Sequence, residues 1–328
     1  MLSLLSDPSR PDGNRRRSAR LPRGPLALAL VLALAVAAAV TVPRLLTHDA
    51  PTTYASTNGW PAEGQGAYVI GNGEPAASPD QKPVPIASVA KVMTAYLVLQ
   101  KHPLQDGDDG VTFTVEQGDV ADTAARRSAG QSVVAVAAGE RLSERDALMA
   151  ILLPSANNVA VLVARELDGS VDAFVEEMNE TAQELGMTQT TYTDPSGYDP
   201  GTVSTALDQL RLAQVVAKDA TLSAMMATRS YTIPVAGEIT NTDSLLGHDG
   251  FVGMKTGSDE AAGGCFMFRA ERDTANGTVT LIGVVLGQRG SSLIGAGLQA
   301  AQQLADDVAP IAEASDAPAT GRPGRLRP

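Results

Sequence analysis

Ser88-Val89-Ala90-Lys91, Ser155-Ala156-Asn157 and Lys255-Thr256-Gly257 are three short strings that together hold the groups a serine acyl-transfer site requires. Around the first, Pro85 and Ala87 precede Val89, Val92, Met93, Tyr96 and Leu97, whose helical spacing predicts a helix beginning close to Ser88. Residues three apart share a helical face, so the Lys91 amine can fold over the Ser88 hydroxyl. A lysine at its ordinary pKa is protonated and useless as a base. Burial and a second cation both disfavour the charged form, and Lys255 is the natural source of that cation. A serine at a helix start also offers its own backbone N–H, backed by the helix dipole, to a developing oxyanion. Taken alone, the four letters read better as an ordinary surface helix.

The second string lies between two apolar stretches, Ala147 to Leu153 and Val159 to Leu167, with Pro154 breaking the pattern. A loop joining two helices is expected there, projecting Ser155 and Asn157 into a cleft. The hydroxyl can pass a proton from the base to a leaving amine, and the carboxamide can hold both substrate and lysine in position. Pro-Ser-Ala-Asn is also good helix-entry chemistry without any catalytic role. The third string falls in Gly250 to Gly257, a glycine-punctuated strand followed by Gly263 to Phe268, a spacing that predicts an antiparallel pair. Glycine in a strand often marks close approach by another backbone, as a peptide docking along an edge would make. Lys255 and Thr256 can bind a terminal carboxylate, and the N–H of Ser258, after Gly257, can serve as a second oxyanion donor.

With these strings the chain resembles the penicillin-binding D-alanyl-D-alanine carboxypeptidases, low-molecular-weight serine peptidases of cell-wall metabolism. The likeness extends through Ala87 to Tyr96, through Met178-Asn179, Leu185-Gly186-Met187 and Asp194-Pro195-Ser196-Gly197-Tyr198, and through Asn241-Thr242-Asp243-Ser244-Leu245-Leu246. It runs from about Ala67 to about Asp306. The resemblance implies Ser88 as acyl-enzyme nucleophile, Lys91 as proton acceptor, Ser155 as proton relay and Asn157 as a positioning group. Lys255, Thr256, Gly257 and Ser258 are implied to bind substrate. It also implies a peptidoglycan stem peptide as substrate and β-lactam antibiotics as covalent inhibitors. The chain departs from the family pattern at Ala156 and Asn158, where glycine and aspartate are common, and at Ser258, where some members place histidine.

Other chemistries fit poorly. The only histidines are His48, His102 and His248, none of them beside a candidate nucleophile, so neither a histidine-based hydrolase nor a metal cluster is expected, and no cofactor. A class A β-lactamase needs a Glu-x-x-x-Asn loop, absent between Leu167 and Tyr198. A non-catalytic wall-binding module is at odds with an intact set of catalytic groups. Cys265, the single cysteine, excludes an intramolecular disulfide and reads as a buried strand residue.

Around the candidate site the coarse pattern is mixed. Ala67 to Ile70 and Thr278 to Leu286 read as strands, and the segments from Val92, Glu144, Val159, Val171, Leu207 and Ile294 as helices. The expected fold is mixed α/β (α+β), an antiparallel sheet flanked by helices with a largely helical subdomain between the first and third strings. The resemblance implies the same β-lactamase/transpeptidase-like form. Six arginines between Arg10 and Arg23 precede an apolar run from Leu26 to Val42, 17 residues long. The layout expected is a basic cytoplasmic region at 1–24, a transmembrane anchor or signal segment at 25–43 and a linker at 44–63. The peptidase domain then spans 64–306, with a disordered tail at 307–328. That places the domain on the extracytoplasmic face of a membrane or in secreted form. Residues 1–50 carry seven arginines against three aspartates, +4 in all, so the remainder carries −16 of the total −12, which argues against nucleic acid as a partner.

Overall fold

The computed structural model describes residues 59–315, apart from 106, 275 and 276. The expected membrane-directed segment lies outside the described residues, among which no helix is long and apolar enough to cross a membrane. The chain enters as strands β1 (Gln65–Ile70), β2 (Ala76–Ala77) and β3 (Val84–Pro85), then a 3₁₀ turn (Ala87–Ala90) leading straight into helix α1 (Lys91–Lys101). A helical stretch follows, with α2 (Gln117–Ser128), α3 (Glu144–Leu152), α4 (Asn157–Asp168) and α5 (Val171–Glu184), and the short pair β4 (Thr112–Thr114) and β5 (Arg141–Ser143). After β6 (Val203–Ser204) come α6 (Ala206–Val216), α7 (Ala220–Met226) and the hairpin β7 (Ser230–Ile233) and β8 (Gly237–Thr240). The chain then returns to the main sheet through β9 (Phe251–Asp259), β10 (Gly263–Thr274) and β11 (Gly277–Gln288), and ends in α8 (Leu293–Ser315).

The main sheet is antiparallel with order β2-β1-β11-β10-β9, so the strand carrying Lys255-Thr256-Gly257 is an edge. Both faces are covered. On one, Phe251, Phe266 and Phe268 meet Leu298, Ala301, Leu304 and Val308 of α8. On the other, Met254, Met267, Val284 and Leu286 join a larger core with Val92, Leu148, Leu152, Val159 and Leu210 from the helices. Burying side chains of this size is worth roughly 1.5–3 kcal/mol each before entropy is counted, so the two cores fix the sheet rigidly between its helical layers.

This is the mixed, helix-flanked antiparallel architecture expected from the sequence, with the helical stretch between the first and third strings. The helices expected from Val92, Glu144, Val159, Val171, Leu207 and Ile294 are present; α2 and α7 are additional. Two boundaries shift. The linker does not extend to residue 63: Trp60 packs on Tyr68 with ring centroids 5.4 Å apart, and Gln288 donates to the Glu63 carbonyl at 2.8 Å. Nor does disorder begin at 307, because Val308 continues the apolar stripe of Leu298, Ala301 and Leu304, and α8 runs on to Ser315.

Candidate active site

Ser88 sits in the 3₁₀ turn and Lys91 is the first residue of α1, so one tight turn separates hydroxyl from amine. The Lys91 Nζ lies 2.9 Å from Ser88 Oγ and donates to the Ser196 carbonyl at 2.7 Å, with the side chain completely buried. Burial, then the Lys255 charge, hold its pKa well below the usual lysine range; Asp194 opposes this and Arg126 adds to it. The coupling of the two lysines expected from the sequence is therefore present.

The loop that supplies the Ser196 carbonyl is built by one carboxylate. Asp194 accepts from the backbone N–H groups of Ser196, Gly197 and Tyr198 and from the hydroxyls of Ser196 and Thr202. Thr94 of α1 donates to the Pro195 carbonyl at 2.6 Å, locking loop to helix. Gly197 has φ +74°, and a Cβ there would meet the Ala87 carbonyl oxygen at 1.8 Å, so only glycine lets this loop close on the Ser88 turn. Ala87 itself has φ +45° and Ser155 φ +67°. Strained backbone thus flanks Ser88 on one side and forms the second string on the other.

Ser155 lies between α3 and α4, in the interhelical loop the sequence predicts. Its Oγ is buried and has no hydrogen-bond partner. Asn157 opens α4; its Nδ2 donates to Gln131 Oε1 at 2.9 Å, while its Oδ1 is buried without a partner. Asn158, the departure from the family pattern, is structural. Its Oδ1 accepts from Val134 N–H, and its Nδ2 donates to the Val134 carbonyl and to Thr123 Oγ1.

On the third string, Lys255 is buried and donates to the Thr256 carbonyl at 3.0 Å, and burial brings its pKa down to about 7 against the pull of Asp243. The Thr256 and Thr242 hydroxyls are 2.5 Å apart. The close approach expected at the strand glycine is made by the chain itself. A Cβ on Gly257 would lie 3.0 Å from Ser88 N and 2.9 Å from Val89 N, so the strand presses directly on the Ser88 turn.

A cleft of about 530 Å³ opens over these groups, with Ser88, Gln131, Asn157, Tyr198, Ser258 and Glu260 in its walls. Lys91, Ser155, Lys255 and Thr256 lie buried and are not part of its lining. The turn leading into α1 and helix α4 have no side-chain N-caps, whereas α3, α5, α6 and α7 have them. No side chain therefore neutralises the positive dipole end of either helix that begins in the site, although the Asn157 N–H is taken by the Ser132 carbonyl. Sequence reasoning missed Gln131, and saw Asp194 and Asp243 only as parts of matching strings, because these residues meet the site through tertiary contacts with no fixed spacing. Cys265 is buried in β10 as expected, its thiol pushed up by burial to about 12. Arg289 holds the β9–β10 turn through the Glu260 and Ala261 carbonyls.

Known proteins carry similar sequences and this fold. A D-alanyl-D-alanine endopeptidase of Pseudomonas aeruginosa is 32% identical over 194 residues, 57% of this chain and 59% of that protein. A D-alanyl-D-alanine carboxypeptidase of Streptomyces sp. strain K15 is 31% identical over 216 residues, 61% of this chain and 71% of that protein. The chain thus spans from about half to about three fifths of the length of the first few curated relatives it matches. The crystal structure of the Streptomyces K15 DD-transpeptidase superposes with a TM-score of 0.64 at 24% identity, covering 75% of this chain and 97% of that one, which shows a shared transpeptidase/β-lactamase-like fold. Residues 76–290 match the family described as D-alanyl-D-alanine carboxypeptidase, and they include the serine-lysine pair, the interhelical serine and asparagine and the lysine strand. The chain belongs to the D-alanyl-D-alanine carboxypeptidase family of serine-type peptidases.

Proposed function

We propose that this chain is a serine-type D-Ala-D-Ala carboxypeptidase that removes the terminal D-alanine from peptidoglycan stem peptides through an acyl-enzyme on Ser88. The observation that carries this reading is the fully buried Lys91 amine 2.9 Å from Ser88 Oγ, its charged form suppressed by burial and by Lys255. Neutral Lys91 takes the hydroxyl proton as Ser88 Oγ bonds to the carbonyl carbon between the two D-alanines. The N–H groups of Ser88 and Ser258 receive the oxyanion, and the terminal carboxylate docks at the Thr256 and Ser258 hydroxyls in the field of Lys255. Ser155 Oγ, buried and unpartnered, hands the proton from Lys91 to the departing amine as the C–N bond breaks. Water then attacks the ester, its proton returns through Lys91, and Ser88 is regenerated. Penicillins present a strained amide to the same serine and acylate it.

The names of the relatives favour a second reading, a D,D-endopeptidase that cuts cross-links by the same chemistry. The domain is proposed to act on the outer face of a bacterial membrane or in secreted form. Residues 25–43 would direct it there behind the basic 1–24 segment, with the residues from 44 to about 58 as spacer. Fluorescent penicillin tests the chemistry: a covalent band that disappears on Ser88→Ala is expected, and a band that survives the substitution refutes the assignment. Mass spectrometry of products from a pentapeptide stem and from cross-linked dimers separates the two readings, with release of D-alanine from the pentapeptide expected.

A further inference from the structure

Gln131 lies in the cleft wall between two side chains of different hydrogen-bonding capacity. Arg126 Nη1 approaches Gln131 Oε1 at 3.1 Å, and Asn157 Nδ2 approaches the same oxygen at 2.9 Å. A guanidinium only donates, so the Gln131 atom facing it must be the carbonyl oxygen; the reverse amide flip would set N–H against N–H. That oxygen in turn accepts only from a donor, so the Asn157 atom facing it must be Nδ2. The direction of one cleft carboxamide is thus dictated, through another, by a charge two side chains away.

The chain is held at both ends. Arg126 Nε is paired with Asp122 Oδ2 at 2.6 Å, one turn earlier on α2. Gly130, with φ +76°, reverses the backbone after α2, and the Gln131 N–H donates to the Arg126 carbonyl at 3.0 Å. The next residue ties the loop to α4, because the Asn157 N–H donates to the Ser132 carbonyl at 2.8 Å. Oδ1 is sealed from solvent, Asn157 lines the cleft, and Gln131 uses one of the two Nδ2 hydrogens, so the other is left for a substrate carbonyl oxygen.

We infer that Gln131, fixed by Arg126, is a positioning residue that sets the amide direction of Asn157 so that Nδ2 donates to a backbone carbonyl of the bound peptide. This rests on the carboxypeptidase reading of the same cleft. Gln131→Leu leaves Asn157 free to rotate and is expected to lower the second-order rate constant of penicillin acylation and kcat/KM on a D-Ala-D-Ala peptide by roughly tenfold, the scale of a misplaced positioning group. Gln131→Glu keeps an oxygen between guanidinium and carboxamide and is expected to recover part of that loss. In an Asn157→Ala background, Gln131→Leu is expected to add nothing, since the group it orients is gone.

A purely structural role predicts the opposite, with a lowered Tm, equal losses for Gln131→Leu and Gln131→Glu, and losses that multiply in the double variant. Any of these, or a Gln131→Leu protein acylated at the wild-type rate, overturns the inference alone. A wild-type protein that penicillin never acylates overturns the inference together with the function it rests on.

Discussion

At the residue scale, the structure explains a departure from the family pattern that the sequence could only flag. Asn158 needs both ends of a carboxamide, because it accepts from Val134 N–H and donates to the Val134 carbonyl. Asn158→Asp would set a buried carboxylate against that carbonyl, and a loss of roughly 2–3 kcal/mol of stability is expected in urea unfolding. An unchanged midpoint would show that the loop from Gln131 to Val134 is held by other means. The Ser88 and Lys91 pairing was legible because a spacing of three is a property of the helix, whereas the 24 positions between Val134 and Asn158 mean nothing until the fold is known. The second lysine gives a sharper test. As the proposed base Lys91 acts only when neutral, so acylation should rise with pH through its pKa, and Lys255 is the cation that does most to keep that pKa low. Lys255→Met should move the acidic limb of the acylation profile toward higher pH, by about one unit if the coupling is of ordinary strength for neighbouring charges. A limb that stays in place would mean that burial alone suppresses the Lys91 charge.

At the element scale, the decisive contact is that of β9 against the 3₁₀ turn. Helical and strand periodicity announced α1, α3, α4 and the β9–β10 pair, since each buries an apolar stripe or face. Helix α2 escaped because its buried residues, Asp119 and Thr123, are polar, and α7 because it is a single short stretch of seven residues. The glycine of the third string stands out in the sequence, but its neighbour is the Ser88 turn. Gly257 does not have a positive φ, so alanine there is conformationally acceptable and its effect is steric alone. The new methyl would sit 2.9–3.1 Å from three backbone atoms, Val89 N, Ser88 N and Ile86 O, none of which can swing aside like the end of a flexible side chain. Gly257→Ala is therefore expected to push the turn away from the strand and slow penicillin acylation by about 10²-fold. Gly253→Ala supplies the contrast. Gly253 has φ +111° and backs on the Met226 carbonyl, so that variant should lose stability while its folded fraction still acylates. Equal acylation by Gly257→Ala and the wild type would remove the strand from any role in placing Ser88.

For the molecule as a whole, the site is a standing cost to folding, and the cost has a pH signature. Lys91 and Lys255 are both fully buried with pKa values below the ordinary 10.5, Lys255 at about 7. The unfolded chain binds protons that the folded chain rejects, so these groups make stability climb as pH rises from about 7 toward the ordinary lysine value. Other buried groups bound the window. Glu144, raised by burial from 4.5 to about 6, makes stability fall between those values. Cys265, raised from 9.0 to about 12, makes it fall again once the unfolded thiol ionises. Between about pH 7 and about pH 9 the lysines dominate, and stability should increase with pH, opposite to what exposed ion pairs would give. Lys255→Met keeps the buried volume, removes the titration and should stabilise the fold near pH 7 by roughly 2–5 kcal/mol while impairing catalysis. Its advantage should shrink by about half near pH 9, because the wild-type lysine then loses less by being neutral. Urea unfolding of both proteins at the two pH values measures this. A stability difference that does not change with pH would mean that Lys255 keeps its proton in the folded state, so that burial does not bring its pKa down, while its standing charge would still disfavour protonation of Lys91.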